Sequence, residues 1–150
     1  MEGNIYGGSS HPVGRAINPA FNSSAILSAS QNVALSAELS AFNFYAFEAC
    51  YHASTDGFSG STFHAGCDGK GPTVVVVRSG ERVFGGYAGA NWASSNASIS
   101  SMQAFLFSFH DDAALARTDV AGDSGSAQFG REGFCPQFGA CMHVNFCVCE

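Results

Sequence analysis

The run Thr73-Val74-Val75-Val76-Val77 most constrains what this chain can fold into. It does not alternate apolar with polar residues, so a strand formed here must be covered on both faces. A turn signal follows at Ser79-Gly80-Glu81, and residues 82–87 are predicted to return as the antiparallel partner. The sequence therefore predicts a central hairpin with a packed layer on each side.

Two adjacent glycines, Gly85 and Gly86, lie inside the returning strand and are followed by Tyr87 and by Trp92, the single tryptophan. Glycines at such positions indicate a bulge or the close approach of another group. Two interpretations stay open. The aromatic residues pack in the core, or the glycine pair presents an interaction edge that Tyr87 and Trp92 anchor.

Other segments give a coarse element order along the chain. The apolar spacing of residues 30–40 predicts a helix with Ser28 or Ser30 as its cap. Strands are expected at residues 49–53, 104–109 and 142–148. Polar connections are expected at residues 91–101 and 110–125, and a loose, glycine-rich leader is expected before the ordered part.

A second, short helix is predicted over residues 59–66 after the Asp56-Gly57 turn signal. Phe63 and Cys67 are four residues apart and should share its buried side. Hairpin-linked strands with helices set to one side predict an α+β, mainly β fold: a two-sheet antiparallel β-sandwich with flanking short helices. Residues 1–23 are predicted as a flexible leader and residues 24–150 as the domain.

Charge and composition exclude several classes of partner. The net charge is −6 with only six Lys and Arg, so a basic face for nucleic acid or for an anionic membrane surface is not expected. A partner with a basic patch is favoured. The chain contains no secretory-type start and no apolar stretch of spanning length, which makes the cytosol the expected location. The six cysteines are therefore expected to be reduced.

A set of short motifs in the middle of the chain resembles the signature of the TLDc domain. The motifs are Tyr51-His52-Ala53-Ser54-Thr55-Asp56-Gly57-Phe58, Phe63-His64, Cys67-Asp68-Gly69-Lys70-Gly71-Pro72-Thr73, Val83-Phe84-Gly85-Gly86-Tyr87, Trp92 and Ala104-Phe105-Leu106-Phe107-Ser108. Their order and spacing agree with the family over about sixty residues. Downstream, Pro136-Gln137-Phe138-Gly139 and His143 look like a further family segment.

The resemblance implies a fold of two packed antiparallel sheets and a role in protection against oxidative stress. Several proteins with this domain bind the vacuolar proton-pumping ATPase and regulate its assembly, and no enzymatic activity is established for the domain. It thus implies a non-catalytic, cytoplasmic interaction module without a cofactor, recruited to endolysosomal membranes through a protein partner. The candidates for partner binding or structural integrity are Gly85, Gly86, Tyr87, Trp92, Asp56, Gly57, Phe63, His64, Cys67, Asp68 and Gly139.

The end of the chain departs from the family pattern. Residues 146–150 do not look like the family's closing strand and Leu-Gly … Tyr motif, so a C-terminally truncated sandwich is expected. A sheet that lacks an edge strand exposes unpaired backbone groups and apolar surface. A non-functional fragment is therefore one alternative to the interaction module.

The cysteines and histidines suggest another alternative, a thiol- or metal-dependent antioxidant enzyme that uses Cys67 and His64. Soft ligands for zinc occur as His64-x-x-Cys67, Cys141-x-His143 and Cys147-x-Cys149. The Cys-x-Cys spacing is tighter than the usual ligand gap of two to four residues, and the sequence contains no pair of Cys-x-x-Cys motifs. A buried, inert Cys67 and a His64 that bonds to backbone are the simpler interpretation.

Overall fold

A computed structural model describes residues 2–9, 21, 24–42, 46–120, 127–139 and 144–145. Within these residues the fold is a sandwich of two antiparallel sheets with three helices. The helices are α1 (Ala29–Ser40), α2 (Ala53–Asp56) and α3 (Gly60–Cys67). The strands are β1 (Glu2–Ser9), β2 (Ala46–His52), β3 (Thr73–Ser79), β4 (Arg82–Ala88), β5 (Ala97–Ile99), β6 (Phe105–Phe109), β7 (Leu115–Asp119), β8 (Gln128–Gly130), β9 (Gln137–Phe138) and β10 (Val144–Asn145). The predicted α+β, mainly β sandwich is confirmed.

The larger sheet has six strands in the order β2-β1-β3-β4-β6-β7, and the smaller sheet has the order β10-β9-β8-β5. The β3–β4 hairpin at the centre of the larger sheet is confirmed. Val74 and Val76 enter one apolar cluster, and Val75 and Val77 enter the other, so each face of β3 is covered. This is the arrangement that the unbroken valine run requires.

Strand β1 corrects the prediction of a flexible leader, which is wrong for Glu2–Ser9. This strand lies between β2 and β3, where Ile5 pairs with Tyr51 on one side and with Val75 on the other. Its sequence carries three glycines and only two large apolar residues, which hid it from a pattern-based prediction. Those two residues, Ile5 and Tyr6, point to opposite faces, and each enters a different core cluster.

Helix α1 begins one residue before its predicted start and has the predicted cap. The Ser28 side chain accepts from the Gln31 backbone N–H, and the Gln31 side chain accepts from the Ser28 N–H, which forms a capping box. Leu35 is fully buried, as expected, whereas Val33 is 49% exposed. The buried stripe of the helix is thus narrower than its apolar sequence predicts.

Two strands occupy segments that were predicted to be polar connections, which is wrong for β5 and β7. Strand β7 pairs with β6 along its whole length, and β5 pairs with β8. Both are edge strands with mostly exposed side chains, so polar residues are compatible with them and no apolar alternation marks them. Of the predicted strand at residues 142–148, β10 is confirmed, and the other residues lie outside the described part of the chain.

Candidate functional site

Helix α3 carries the densest group of candidate residues. Ser59 caps it by accepting from the Thr62 N–H, and Phe63 and Cys67 are fully buried on the same side, as predicted. Its first residue, Gly60, lies directly on the backbone of another loop. A Cβ there would lie 2.3 Å from the carbonyl carbon of Gly133, so the helix can approach that loop only with glycine at this position.

The imidazole of His64 bridges two segments that are distant in sequence. Its Nδ1 lies 2.6 Å from Oδ1 of Asp68, and its Nε2 lies 3.0 Å from the backbone carbonyl oxygen of Arg131. The His64 side chain is 5% exposed and that of Asp68 is 28% exposed, so the ring is shielded from water and the carboxylate is partly hydrated. The interpretation of His64 as a backbone-bonded residue is confirmed.

Asp68 connects the end of α3 to the loop that follows Trp92. Its Oδ2 accepts from both the backbone N–H and the hydroxyl of Ser94, each at 2.8 Å. Next to it, the Gly69 N–H donates to the Trp92 carbonyl at 3.2 Å. We refer to His64, Asp68, Ser94 and Arg131 as the α3 clamp, because together they tie one helix to two loops.

Trp92 is a core residue, as the packing interpretation predicts, because it is only 1% exposed. Its Nε1–H donates to the Thr73 hydroxyl at 2.7 Å, so the one polar atom of the ring has a partner. The ring makes edge contacts with Phe63 and Phe138, each at a centroid distance of 5.6 Å. Trp92 therefore joins α3, β3 and β9.

Gly85 and Gly86 permit close approach, and the alternative prediction of a bulge is wrong. The pairing of β4 with β3 and β6 runs through both residues without a shift. A Cβ at Gly85 would lie 1.9 Å from the carbonyl oxygen of Val75, and a Cβ at Gly86 would lie 2.8 Å from the ring of Phe138. Both glycines are buried, so neither presents an open edge.

Tyr87 also belongs to the core rather than to a surface. Its ring is fully buried and stacks on Phe42 at a centroid distance of 4.9 Å, with Phe105 at 5.3 Å. Burial raises the pKa of the Tyr87 hydroxyl to about 12, because the phenolate would lose its hydration. The interaction-edge interpretation of Tyr87 and Trp92 is therefore wrong.

The three cysteines that the structure describes are not the reduced thiols that the expected location implies. Cys50 of β2 and Cys67 of α3 form a disulfide with their Cα atoms 5.3 Å apart, and Cys135 is also disulfide-bonded. The pairing depends on how α3 packs beside β2: a Cβ at Gly66 would lie only 2.3 Å from the Cys50 carbonyl oxygen. The prediction of reduced thiols is wrong for these three residues, and Cys67 offers no free thiolate next to His64.

The remaining candidates shape turns. Oδ2 of Asp56 accepts from the His52 N–H at 2.8 Å, and the Gly57 carbonyl accepts from the Tyr51 hydroxyl at 2.7 Å. Gly57 has a φ of 91° and Gly139 has a φ of 79°, backbone conformations that residues other than glycine rarely adopt. These residues close α2 and end β9.

Sequence reasoning missed the residues that complete the clamp. Ser94 lies 26 residues from its partner Asp68, and Arg131 lies 67 residues from its partner His64, in segments without a recognisable motif. Within the described ranges no group of three or more His, Cys, Asp or Glu could hold a metal ion. The proposed ligands Cys141, His143, Cys147 and Cys149 lie outside those ranges.

A shallow groove of about 250 Å³ opens on the larger sheet, away from α3. Its lining is contributed by β4, β6 and β7, and includes Phe84, Leu106, Ser108, Ala116 and Thr118. Of the helices that the structure describes, none is long and apolar enough to cross a membrane.

Comparison with known proteins agrees with this architecture. Residues 20–139 match the family model described as the TLDc domain. Searches of curated proteins and of solved structures find no significant match. The matched segment includes α1 to β9, and thus every described strand except β1 and β10, together with the α3 clamp and the groove. Since the match spans most of its length, this chain belongs to the TLDc domain family.

Proposed function

We propose that this chain is a non-catalytic docking module that binds the soluble sector of the vacuolar proton-pumping ATPase. The main support is that the side chains best suited to catalysis are already engaged in structural contacts. His64 is held by Asp68 and by a backbone carbonyl, and Cys67 is bonded to Cys50. A catalytic acid, base or nucleophile must instead reach a substrate.

The charge of the chain favours a basic partner surface. With a net charge of −6, the module would associate faster with a positively charged patch, and that association would weaken as salt rises. We further propose that the module acts in the cytoplasm and is recruited to endolysosomal membranes through the pump. In that compartment the Cys50–Cys67 bond would form only transiently, under oxidising conditions.

The proposal can be tested with the purified chain and the purified soluble sector of the pump. We expect immobilised chain to capture the sector at low salt and to release it progressively as NaCl rises toward 0.5 M. The control is a Trp92→Ala chain, which loses the bond to Thr73 and the contacts to two aromatic rings. If a chain with a cooperative melting transition captures no sector at any salt concentration, the proposal is wrong.

A second candidate function is peroxide reduction by the Cys50–Cys67 pair, which the disulfide favours over a single reactive thiol. The Cys50 thiolate would attack a peroxide to give a sulfenic acid and an alcohol or water. The Cys67 thiol would then form the disulfide and release water. After reduction and removal of the reductant, one peroxide would be consumed per chain, and Cys50→Ser would abolish this. Consumption no faster than with free cysteine would dispose of the idea.

A further inference from the structure

The Cys50–Cys67 disulfide joins the last residue of α3 to the edge strand β2. At the same place the two backbones touch without the help of sulfur, because a Cβ at Gly66 would lie only 2.3 Å from the Cys50 carbonyl oxygen. This approach depends on glycine and not on the oxidation state of the cysteines. The two thiols of a reduced chain therefore remain neighbours, and the bond can form and break in the folded protein.

The two cysteines differ in exposure, which sets the order of the exchange steps. Cys50 is half-buried and Cys67 is fully buried, so a dissolved reagent reaches Cys50 first. A low-molecular-weight disulfide is attacked at one sulfur by the Cys50 thiolate, which expels one small thiol. The Cys67 thiolate then attacks the Cys50 sulfur and expels the second small thiol. The expelled thiols take up the two protons that the cysteines release, and a small dithiol reverses the sequence.

Helix α3 depends on its attachments, because a helix of eight residues is not stable by its own hydrogen bonds. Towards β2 it is held by the disulfide and by the edge contact of Phe63 with the Tyr51 ring, at a centroid distance of 6.1 Å. Towards the two loops it is held by His64 and Asp68 of the α3 clamp. Reduction removes the covalent attachment, so α3 should open at a lower free-energy cost than the central β3–β4 hairpin.

The loop between β8 and β9 rests on α3. The Arg131 carbonyl accepts from the His64 Nε2–H and from the Phe134 N–H, and a Cβ at Gly60 would lie 2.3 Å from the backbone of Gly133. On its outer side the loop exposes Arg131 and Phe134, with the guanidinium 4.7 Å from the ring centroid. Arginine and aromatic residues are enriched at protein interfaces. The position of α3 thus decides whether this pair is presented as one fixed unit.

We infer that the Cys50–Cys67 pair is a redox switch for docking. Oxidation of the two thiols fixes α3 on β2 and, through the α3 clamp, holds the β8–β9 loop so that Arg131 and Phe134 contact the partner. Reduction lets α3 and this loop open, and docking weakens. The transient bond in the cytoplasm is then the signal that promotes docking. This inference rests on the proposed docking function and specifies its regulation and its contact surface.

The first test measures hydrogen exchange of the full chain by mass spectrometry, before and after reduction with dithiothreitol. Reduction should raise the exchange rate of α3 amides by at least about tenfold more than that of β3 and β4 amides, because α3 loses a direct cross-link. The Cys50→Ser/Cys67→Ser variant is the control for Cys135, which is also disulfide-bonded. Helix α3 of this variant should exchange rapidly with or without the reductant.

The second test equilibrates the chain in mixtures of reduced and oxidised glutathione and measures its affinity for the purified soluble sector of the pump. Affinity should rise with the fraction of chain that carries the Cys50–Cys67 bond, as determined by alkylation and mass spectrometry. In the oxidised chain Phe134→Ala should weaken binding by roughly tenfold, because an interface anchor is lost. Met102→Ala is the matched control at a 91% exposed residue of another loop, and it should leave affinity unchanged. Melting curves of all variants establish that they are folded.

The inference is overturned if reduction accelerates exchange in α3 no more than in the β3–β4 hairpin, or if the oxidised and reduced chains bind the sector with equal affinity. Equal affinity would leave the docking function standing and remove its redox control. If α3 responds to reduction as expected and neither form binds the sector, the proposed docking function fails, whereas the redox control of α3 stands. The two experiments therefore separate failure of the switch from failure of the docking function.

Discussion

The Nε2 atom of His64 lies 3.0 Å from the carbonyl oxygen of Arg131, so one buried imidazole joins α3 to the loop between β8 and β9. The other ring nitrogen meets Asp68, which in turn holds Ser94. Because the imidazole itself is buried, removing it deletes both of its polar contacts and its packing against Phe63.

We therefore expect His64→Ala to lower the free energy of unfolding by about 2–3 kcal/mol, because two hydrogen-bond contacts and the packing of a buried ring are lost together. Urea unfolding followed by circular dichroism measures this. His110→Ala is the control, since His110 is exposed, and it should change stability by less than about 0.5 kcal/mol. Equal effects of the two substitutions would mean that the clamp does not stabilise the domain.

The Cys50–Cys67 disulfide closes a loop with a sequence separation of 17 residues that contains α2 and most of α3. A cross-link of this length is expected to stabilise the fold by about 3 kcal/mol by restricting the unfolded chain. The Cys50→Ala/Cys67→Ala double variant should lose about that much in urea unfolding without reductant. Dithiothreitol should then lower its stability further, because Cys135 is also disulfide-bonded. An unchanged midpoint in the double variant would contradict the prediction.

Gly85 leaves no room for a methyl group, because a Cβ would lie 1.9 Å from the Val75 carbonyl oxygen on the paired strand. Gly85→Ala should cost more than about 3 kcal/mol or prevent folding, since backbone rather than a flexible side chain must move. Gly3→Ala is the matched control, because a Cβ at Gly3 would make an ordinary 3.8 Å contact with Ala53. The yield of folded protein and the urea midpoint of each variant give the measurement. A folded Gly85→Ala chain as stable as Gly3→Ala would refute the steric argument.

We expect ionisation of the Tyr87 hydroxyl to lower the free energy of unfolding at alkaline pH. Burial raises its pKa in the folded state to about 12 from the ordinary tyrosine value of 10.0. The unfolded state therefore releases its proton first, and the contribution of Tyr87 to stability is fully present below pH 10 and lost as the pH rises from 10 to 12. At pH 11 about 1.4 kcal/mol should be lost through this group.

Comparison with Tyr87→Phe isolates that contribution, because other tyrosines titrate equally in both proteins. Unfolding free energies measured from pH 8 to pH 11 should fall less steeply for the variant. Parallel curves would show that the Tyr87 hydroxyl is not differentially titrated.

The elements that could be predicted share one property: the order of apolar and polar residues in their sequence indicates which side chains are buried. The valine run of β3 and the alternating phenylalanines of β6 indicate which faces of these strands are buried. The capping residue Ser28 indicates where α1 begins. The edge strand β7 carries no such pattern, since its environment is half solvent.

Only those residues of the candidate site that are close together in sequence could be predicted to lie together. His64, Cys67 and Asp68 lie within five residues, so the sequence places them together on α3. Their partners Cys50 and Arg131 come from strands and loops whose proximity depends on the finished packing of both sheets. The groove was equally hidden, because its concavity depends on strand register rather than on any one segment.

Strand β1 has a consequence for the order in which this protein can assemble during synthesis. It is synthesised before both of its neighbours, β2 and β3, which follow some forty and seventy residues later. Its hydrogen bonds must therefore wait for most of a domain to be translated, which is a topology that folds slowly. Because β1 is short, lies between β2 and β3 in the sheet and is distant from both in sequence, it can be separated from the rest of the domain. A synthetic Glu2–Ser9 peptide could be supplied in trans. The time at which it inserts between β2 and β3 would show when those two strands have folded.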